Sequence, residues 1–119
     1  MTIREIDEDV FVSGQITEEF VDELAQAGFK TIICNRPDKE ETTQIDFARI
    51  KEKAEKCGMD VYYIPVSPPQ LEQATIDHMQ TTLQSAKKPI LAYCRSGSRS
   101  SQLYQLIKNQ TTIDKPHCP

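Results

Sequence analysis

Short apolar runs alternate with stretches of helical spacing along most of this chain. "VFVSG", Val10 to Gly14, reads as a strand ending in a turn. Thr17 then caps a helix whose first turn carries Glu18 and Glu19, acids that suit the positive end of a helix dipole. Phe20, Val21, Leu24 and Ala27 form its apolar stripe, and Gly28 fits the left-handed stop. "TIIC", Thr31 to Cys34, is a β-branched run typical of a buried strand, and the polar loop "NRPDKEE" follows it. A second helix is expected from about Thr43 to Cys57, with Phe47, Ile50, Ala54 and Cys57 on one face and Gly58 at its end. "DVYYIPV" is the next strand, closed by "SPPQ", where two prolines forbid continuation. Thr75 caps a third helix with Ile76, Met79, Leu83 and Ala86 inward. The strand "PILAY", a short loop and a last helix with Leu103, Leu106 and Ile107 complete the series.

Four strands alternating with four helices imply an α/β fold: a single domain with a mainly parallel sheet flanked by helices on both faces. There is no internal repeat and no low-complexity segment. Residues 1–110 are expected to form the catalytic domain. The polar, proline-containing residues 111–119 are expected to form a loosely ordered tail.

Composition narrows the function without naming it. A chain of 119 residues, 38% hydrophobic and 27% charged, suits one modest globular core. A net charge of −4 argues against nucleic acid as a partner. No apolar run approaches the roughly 20 residues needed to cross a bilayer, so no membrane role is expected. "MTIREIDED" is charged from the start and lacks an apolar signal core, which points to a cytoplasmic address. Cys34, Cys57, Cys94 and Cys118 lie far apart, without a Cys-x-x-Cys pair and with only two histidines. That spacing predicts no metal site, and the expected compartment predicts no structural disulfide. Cys34 and Cys57 read as small buried hydrophobes, and no cofactor is expected.

The stretch "ILAYCRSGSRSSQLYQLI", Ile90 to Ile107, carries the chemistry. Cys94 sits where a strand ends, at the edge of the sheet where α/β proteins bind ligands. The amides of Arg95 to Ser100 can turn inward as an anion-binding nest, and the helix beyond adds about half a positive charge. A thiol so placed can fall from a pKa of about 8.5 into the range of about 3.5–7.5. Gly97 supplies the backbone freedom of a tight cradle. Ser96, Ser98 and Ser100 can donate to the sulfur or to a bound anion, and Arg95 and Arg99 attract one. The expected site is a nucleophilic thiolate ringed by donors that suit a small anionic substrate.

"YCRSGSRS" resembles the active loop of rhodanese-type sulfurtransferases. From about Ile3 to Asn109, through "VSGQI", "TIICNRPDKEE", "YYIPV" and "AYCRSGSRS", the chain resembles a bacterial family of small phosphatase-like proteins. That family also occurs fused to metallo-β-lactamase-type domains in β-lactamase-hydrolase-like proteins. The order of elements looks like that of dual-specificity cysteine phosphatases, in which a final strand delivers the cysteine loop to a helix.

The two resemblances imply different reactions. Cysteine phosphatases carry Cys-x5-Arg, whereas Cys94 to Arg99 is Cys-x4-Arg, with Ser100 standing where the phosphatase arginine would fall. Tyr93 replaces their usual histidine, and Ser67 stands where they often carry an aspartate acid. Loss of an acid costs about 10²–10⁴-fold when an alkoxide must leave. Thiolates leave without one, so the loop favours sulfane-sulfur transfer through a Cys94 persulfide. Thiosulfate or a persulfide would be the donor, and a persulfide-processing or sulfide-oxidising enzyme the partner. The alternative is phosphoester hydrolysis through a phosphocysteine at Cys94. In that reading Asp38 donates the proton and Arg36 supplies the missing phosphate contact. The same "NRPDKEE" segment also reads as a solvated turn, with its acidic run a solubilising feature. His78 reads as a surface residue, and Cys118 as a minor candidate to resolve a persulfide on Cys94.

Overall fold

The computed structural model describes residues 3–67 and 71–114, with side chains of the last helix described through residue 109. Pro68 and Pro69, read as the stop after the third expected strand, lie outside the described residues, as do His117 and Cys118. Five strands and four helices follow in the order β1 (Ile3–Asp7), β2 (Val10–Ser13), α1 (Glu18–Gln26), β3 (Thr31–Cys34), α2 (Phe47–Lys56), β4 (Asp60–Tyr63), α3 (Gln73–Ser85), β5 (Ile90–Tyr93) and α4 (Ser98–Asp114). The sheet order is β1-β2-β5-β3-β4. Strands β2, β5, β3 and β4 run parallel, and β1 lies antiparallel to β2 at one edge.

Side-chain alternation along the central strands builds two cores. Ile32, Cys34, Leu91 and Tyr93 face Val21 and Leu24 of α1 and Ile50 and Ala54 of α2. Ile33, Ile90 and Ala92 face the opposite way, against Ile76 and Met79 of α3 and Leu103 and Ile107 of α4. The mainly parallel sheet with helices on both faces is therefore as the alternation of elements implied. Strand β5 is central and buried at all four positions, so the residue that follows it emerges at the middle of the sheet's carboxyl edge.

Four boundaries differ from the sequence reading. Strand β1 was not anticipated. "IREID" is charged, and its pairing with β2 contains a register shift between Glu5 and Asp7. Ile3 and Ile6 pack against opposite cores, and the Tyr104 hydroxyl of α4 donates to Asp7. Helix α2 starts at Phe47, not Thr43, because the residues before it are used in the loop: Gln44 donates from Nε2 to the Pro37 carbonyl (2.9 Å) and accepts from the Glu40 amide (3.0 Å). Helix α3 starts at Gln73 with Glu72, not Thr75, at the cap position. Helix α4 continues past Asn109 to Asp114. Thr17 caps α1 as expected, accepting from the Phe20 amide at 3.1 Å.

Candidate active site

Cys94 is the first residue after β5 and is fully buried. Its amide donates to the Ser13 carbonyl (3.2 Å) at the end of β2, and the Asn35 amide donates to the Tyr93 carbonyl (2.8 Å), so both neighbouring strands anchor the turn. The Gly97 amide then points back and donates to Cys94 Sγ at 3.0 Å. Gly97 has φ +97°, a left-handed conformation, and a Cβ there would stand 3.3 Å from the Ser13 carbonyl carbon. Gly14 is required for a second reason: a Cβ at that position would meet the Arg95 carbonyl oxygen at 2.9 Å. The cysteine loop is thus seated directly on the turn after β2, where the Gln15 amide donates to the Arg95 carbonyl at 3.2 Å.

Burial is the largest influence on the Cys94 thiol and pushes its pKa up. The amides of Ser100, Ser96 and Gly97, with the Ser100 hydroxyl, outweigh it together and hold the thiol below its ordinary value. The Ser100 hydroxyl is buried and, among the described residues, has no hydrogen bond within normal geometry. Its effect on the sulfur is therefore that of a nearby dipole rather than a formed bond, and it remains available to an oxyanion above the thiol. Ser96 and Ser98 pair with each other instead, Oγ to Oγ at 3.2 Å, while the Ser98 amide donates to Ser96 Oγ (3.3 Å) and shapes the entry to α4. Cys34 provides the contrast. It is buried as the sequence reading expected, and burial pushes its thiol up to about 11. Cys57 is only partly buried, and its thiol donates to Asp22 at 3.5 Å. Tyr93, the residue in place of the phosphatase histidine, is buried on the side of α1 and α2, and burial holds its hydroxyl neutral.

Arg99 lies in the first turn of α4, where its hydrogen bonds to Glu40, with a smaller contribution from the nearby Cys94, favour its protonated form. Its Nη1 donates to Glu40 Oε2 (2.6 Å) and the Val66 carbonyl (3.1 Å), and its Nη2 donates to Glu40 Oε1 (2.8 Å). That bidentate clamp holds one edge of the fork and leaves the Nε–H and one Nη2 hydrogen on the other, the pairing that grips two oxygens of a phosphoryl group. Hydrogen bonding to Arg99 is also the main reason that Glu40 is held below the usual carboxylate range.

Arg36 is 3% exposed, and a charge so deeply buried needs partners. It finds them in Glu40 Oε1 (3.0 Å), Glu41 Oε1 (2.7 Å) and Gln15 Oε1 (3.0 Å). Glu41 also lies 3.5 Å from Arg95 Nε, on a side chain that is largely exposed. The loop between β3 and α2 therefore joins all three arginines singled out from the sequence, but Arg36 does so as the buried hub of an ion network. Asp38 is in the same loop, with its Oδ1 accepting the Phe47 amide at the start of α2 (2.8 Å). Its own amide donates to the Tyr63 hydroxyl (3.0 Å), and Tyr63 stacks on Phe47 at a centroid distance of 4.8 Å.

Glu40, Glu41 and Gln15 were missed as site residues. The available signal was two acids four and five residues after an arginine, on a loop at the carboxyl edge of the sheet. Among the described residues no group of three His, Cys, Asp or Glu side chains is placed to hold a metal ion. His78 is exposed on α3, as its position in the helical pattern suggested.

A parallel sheet that hands a cysteine loop to a helix N-terminus is the plan of the phosphatase-like superfamily. The sequence profile described as "Beta-lactamase hydrolase-like protein, phosphatase-like domain" matches residues 2–111, and the chain belongs to that family. A Beta-lactamase hydrolase-like protein of Agrobacterium fabrum is 38% identical over 101 residues, which are 85% of this chain and 23% of that protein. The chain thus spans about a quarter of the length of such relatives. A candidate phosphatase of Neisseria meningitidis, known from its crystal structure, is 37% identical with a TM-score of 0.84, over 98% of this chain and 81% of that one. The catalytic core of the PP-IP phosphatase Siw14 from S. cerevisiae shares the fold at 15% identity, with a TM-score of 0.66, over 98% of this chain and 78% of that one. The rhodanese-like character read into the loop has no counterpart in these comparisons, which favour the phosphatase alternative over sulfur transfer.

Proposed function

We propose that the protein is a cysteine-dependent phosphatase that cleaves phosphoesters through a phosphocysteine at Cys94. The observation that carries this reading is the pairing of an acidified thiol with an arginine whose remaining edge suits two phosphoryl oxygens. The Cys94 sulfur attacks phosphorus, and the ester oxygen departs. The loop amides and Ser100 stabilise the equatorial oxygens as charge develops on them, and Arg99 binds two of them. Water then cleaves the S–P bond and releases phosphate. The short Cys-x4-Arg spacing is compatible with this chemistry because Glu40 and the Val66 carbonyl fix Arg99 from outside the loop.

The test is hydrolysis of aryl phosphates by the purified protein and by Cys94→Ser. The reading requires phosphate release that depends on Cys94. Transfer of sulfur from thiosulfate to Cys94, with no hydrolysis of any phosphoester, would restore the sulfurtransferase reading.

A further inference from the structure

Each of the two glutamates in the arginine network is shared between two arginines. Glu40 bridges Arg99 (2.6 Å) and Arg36 (3.0 Å), and Glu41 bridges Arg36 (2.7 Å) and Arg95 (3.5 Å). The result is one line of alternating charge, Arg99–Glu40–Arg36–Glu41–Arg95. One end, Arg95, is the residue after Cys94, and the other, Arg99, lies in the first turn of α4. Three guanidinium groups share two carboxylates, so the line carries a single net positive charge, which the Cys94 thiolate offsets. Lys39 is the one further cation that the described residues of these loops add, against the acids Asp38, Asp46 and Glu72. Lys39 itself lines a cleft with Glu40, Glu41 and Asp46.

This balance limits what the site can hold. The loop amides, Ser100 and the open edge of Arg99 make one set of donors, enough for the oxygens of a single phosphoryl group. A second anionic group on the same substrate needs a second cation that is not already paired. Arg95 stands where such a cation is needed, yet the Glu41 carboxylate lies against it. Glu41 and Arg95 are also the most open members of the line, with side chains 46% and 63% exposed. Theirs are the charges offered to the part of a substrate that extends beyond the phosphoryl group.

We infer that the substrate is a phosphate monoester with no second anionic group, and that Glu41 is the specificity-determining residue that excludes one. The assignment rests on the phosphatase reading. A carboxylate or second phosphate beside the scissile ester faces the Glu41 carboxylate instead of a free Arg95 guanidinium. An uncharged or cationic leaving group meets no such repulsion. Between two like charges near a protein surface this repulsion amounts to about a factor of 10 in kcat/KM, and salt weakens it.

The experiment compares kcat/KM on 4-methylphenyl, 4-(aminomethyl)phenyl and 4-(carboxymethyl)phenyl phosphate, three esters that differ in one remote charge. At low salt the wild type should cleave the carboxylate ester about 10-fold less well than the methyl ester, and the ammonium ester at least as well. In about 0.5 M sodium chloride the difference should shrink to within about threefold. Glu41→Gln should bring the carboxylate and methyl esters to within about threefold at low salt. Each ratio is taken within one variant, so a general loss of activity or of folded protein cancels. Equal rates on all three esters in the wild type, or a discrimination that survives in Glu41→Gln, would overturn the assignment. If the wild type hydrolyses none of the three, the phosphatase reading fails first and the assignment to Glu41 falls with it.

Discussion

Two loops meet at the carboxyl edge of the sheet, and they are built by different means. Residues 94–100 hold the sulfur with main-chain donors, a glycine at positive φ and a helix N-terminus, all within a few positions of Cys94. Residues 35–46 organise the arginines with side-chain charge, and Glu40 reaches Arg99 across 59 positions of sequence. In the proposed reaction the first loop sets the acidity of Cys94, and the second sets the geometry of Arg99, which would grip the substrate. Activation of the thiol and alignment of the guanidinium should therefore be separable by mutation.

The largest effect is expected at the first loop. Cys94→Ser should lower kcat on aryl phosphates by on the order of 10⁴-fold or more, since the nucleophile itself is gone. At the second loop, Glu40→Gln should lower kcat/KM by about 10- to 100-fold through a misaligned Arg99, equally for good and poor leaving groups. The rate of Cys94 alkylation in that variant should stay near wild type; a large fall would show that the two loops cannot be separated. Gly97→Ala tests the seating of the first loop on the turn after β2. A side chain at φ +97° should cost about 1–3 kcal/mol, read from denaturant unfolding. Asp38→Ala should cost about 1 kcal/mol by removing the cap on α2, with similar effects on phenyl phosphate and on 2,4-dinitrophenyl phosphate.

The clamp also has a pH signature. Hydrogen bonds to Arg99 hold Glu40 below the ordinary glutamate value of 4.5, so its native form binds protons less readily than the unfolded chain. Its contribution to stability is complete above about that pH and is lost as pH falls toward the depressed native value. The difference in unfolding midpoint between wild type and Glu40→Gln should be constant at neutral pH and shrink on acidification. A difference that persisted unchanged in acid would contradict the clamp.

The same contrast explains what was legible in the sequence. The strand–cysteine–glycine–helix run and the alternation of Ile90 to Tyr93 are local patterns, and the fold and the nucleophilic loop follow from them. Strand β1 was hidden because an edge strand tolerates the charged "IREID" and leaves only a weak alternation. The start of α2 was misplaced because its capping carboxylate, Asp38, is eight positions before its N-cap residue, Asp46, and so outside the usual signal. Glu40 and Glu41 read as a solubilising turn because two of the arginines they meet, Arg95 and Arg99, come beside them only through the packing of β3 beside β5. The count from Cys94 to Arg99 reads the same in the structure, and the comparisons favour the phosphatase alternative over the sulfur chemistry drawn from it. The spacing within the loop is not the whole of the site, because Glu40 holds Arg99 from outside the loop.

The most direct test of the account is mass spectrometry of the protein quenched with acid during turnover of 2,4-dinitrophenyl phosphate. The account predicts one phosphoryl group on the peptide that contains Cys94, absent from Cys94→Ser. Phosphate release that continues in Cys94→Ser, with no phosphoryl adduct on Cys94 in the wild type, would contradict it.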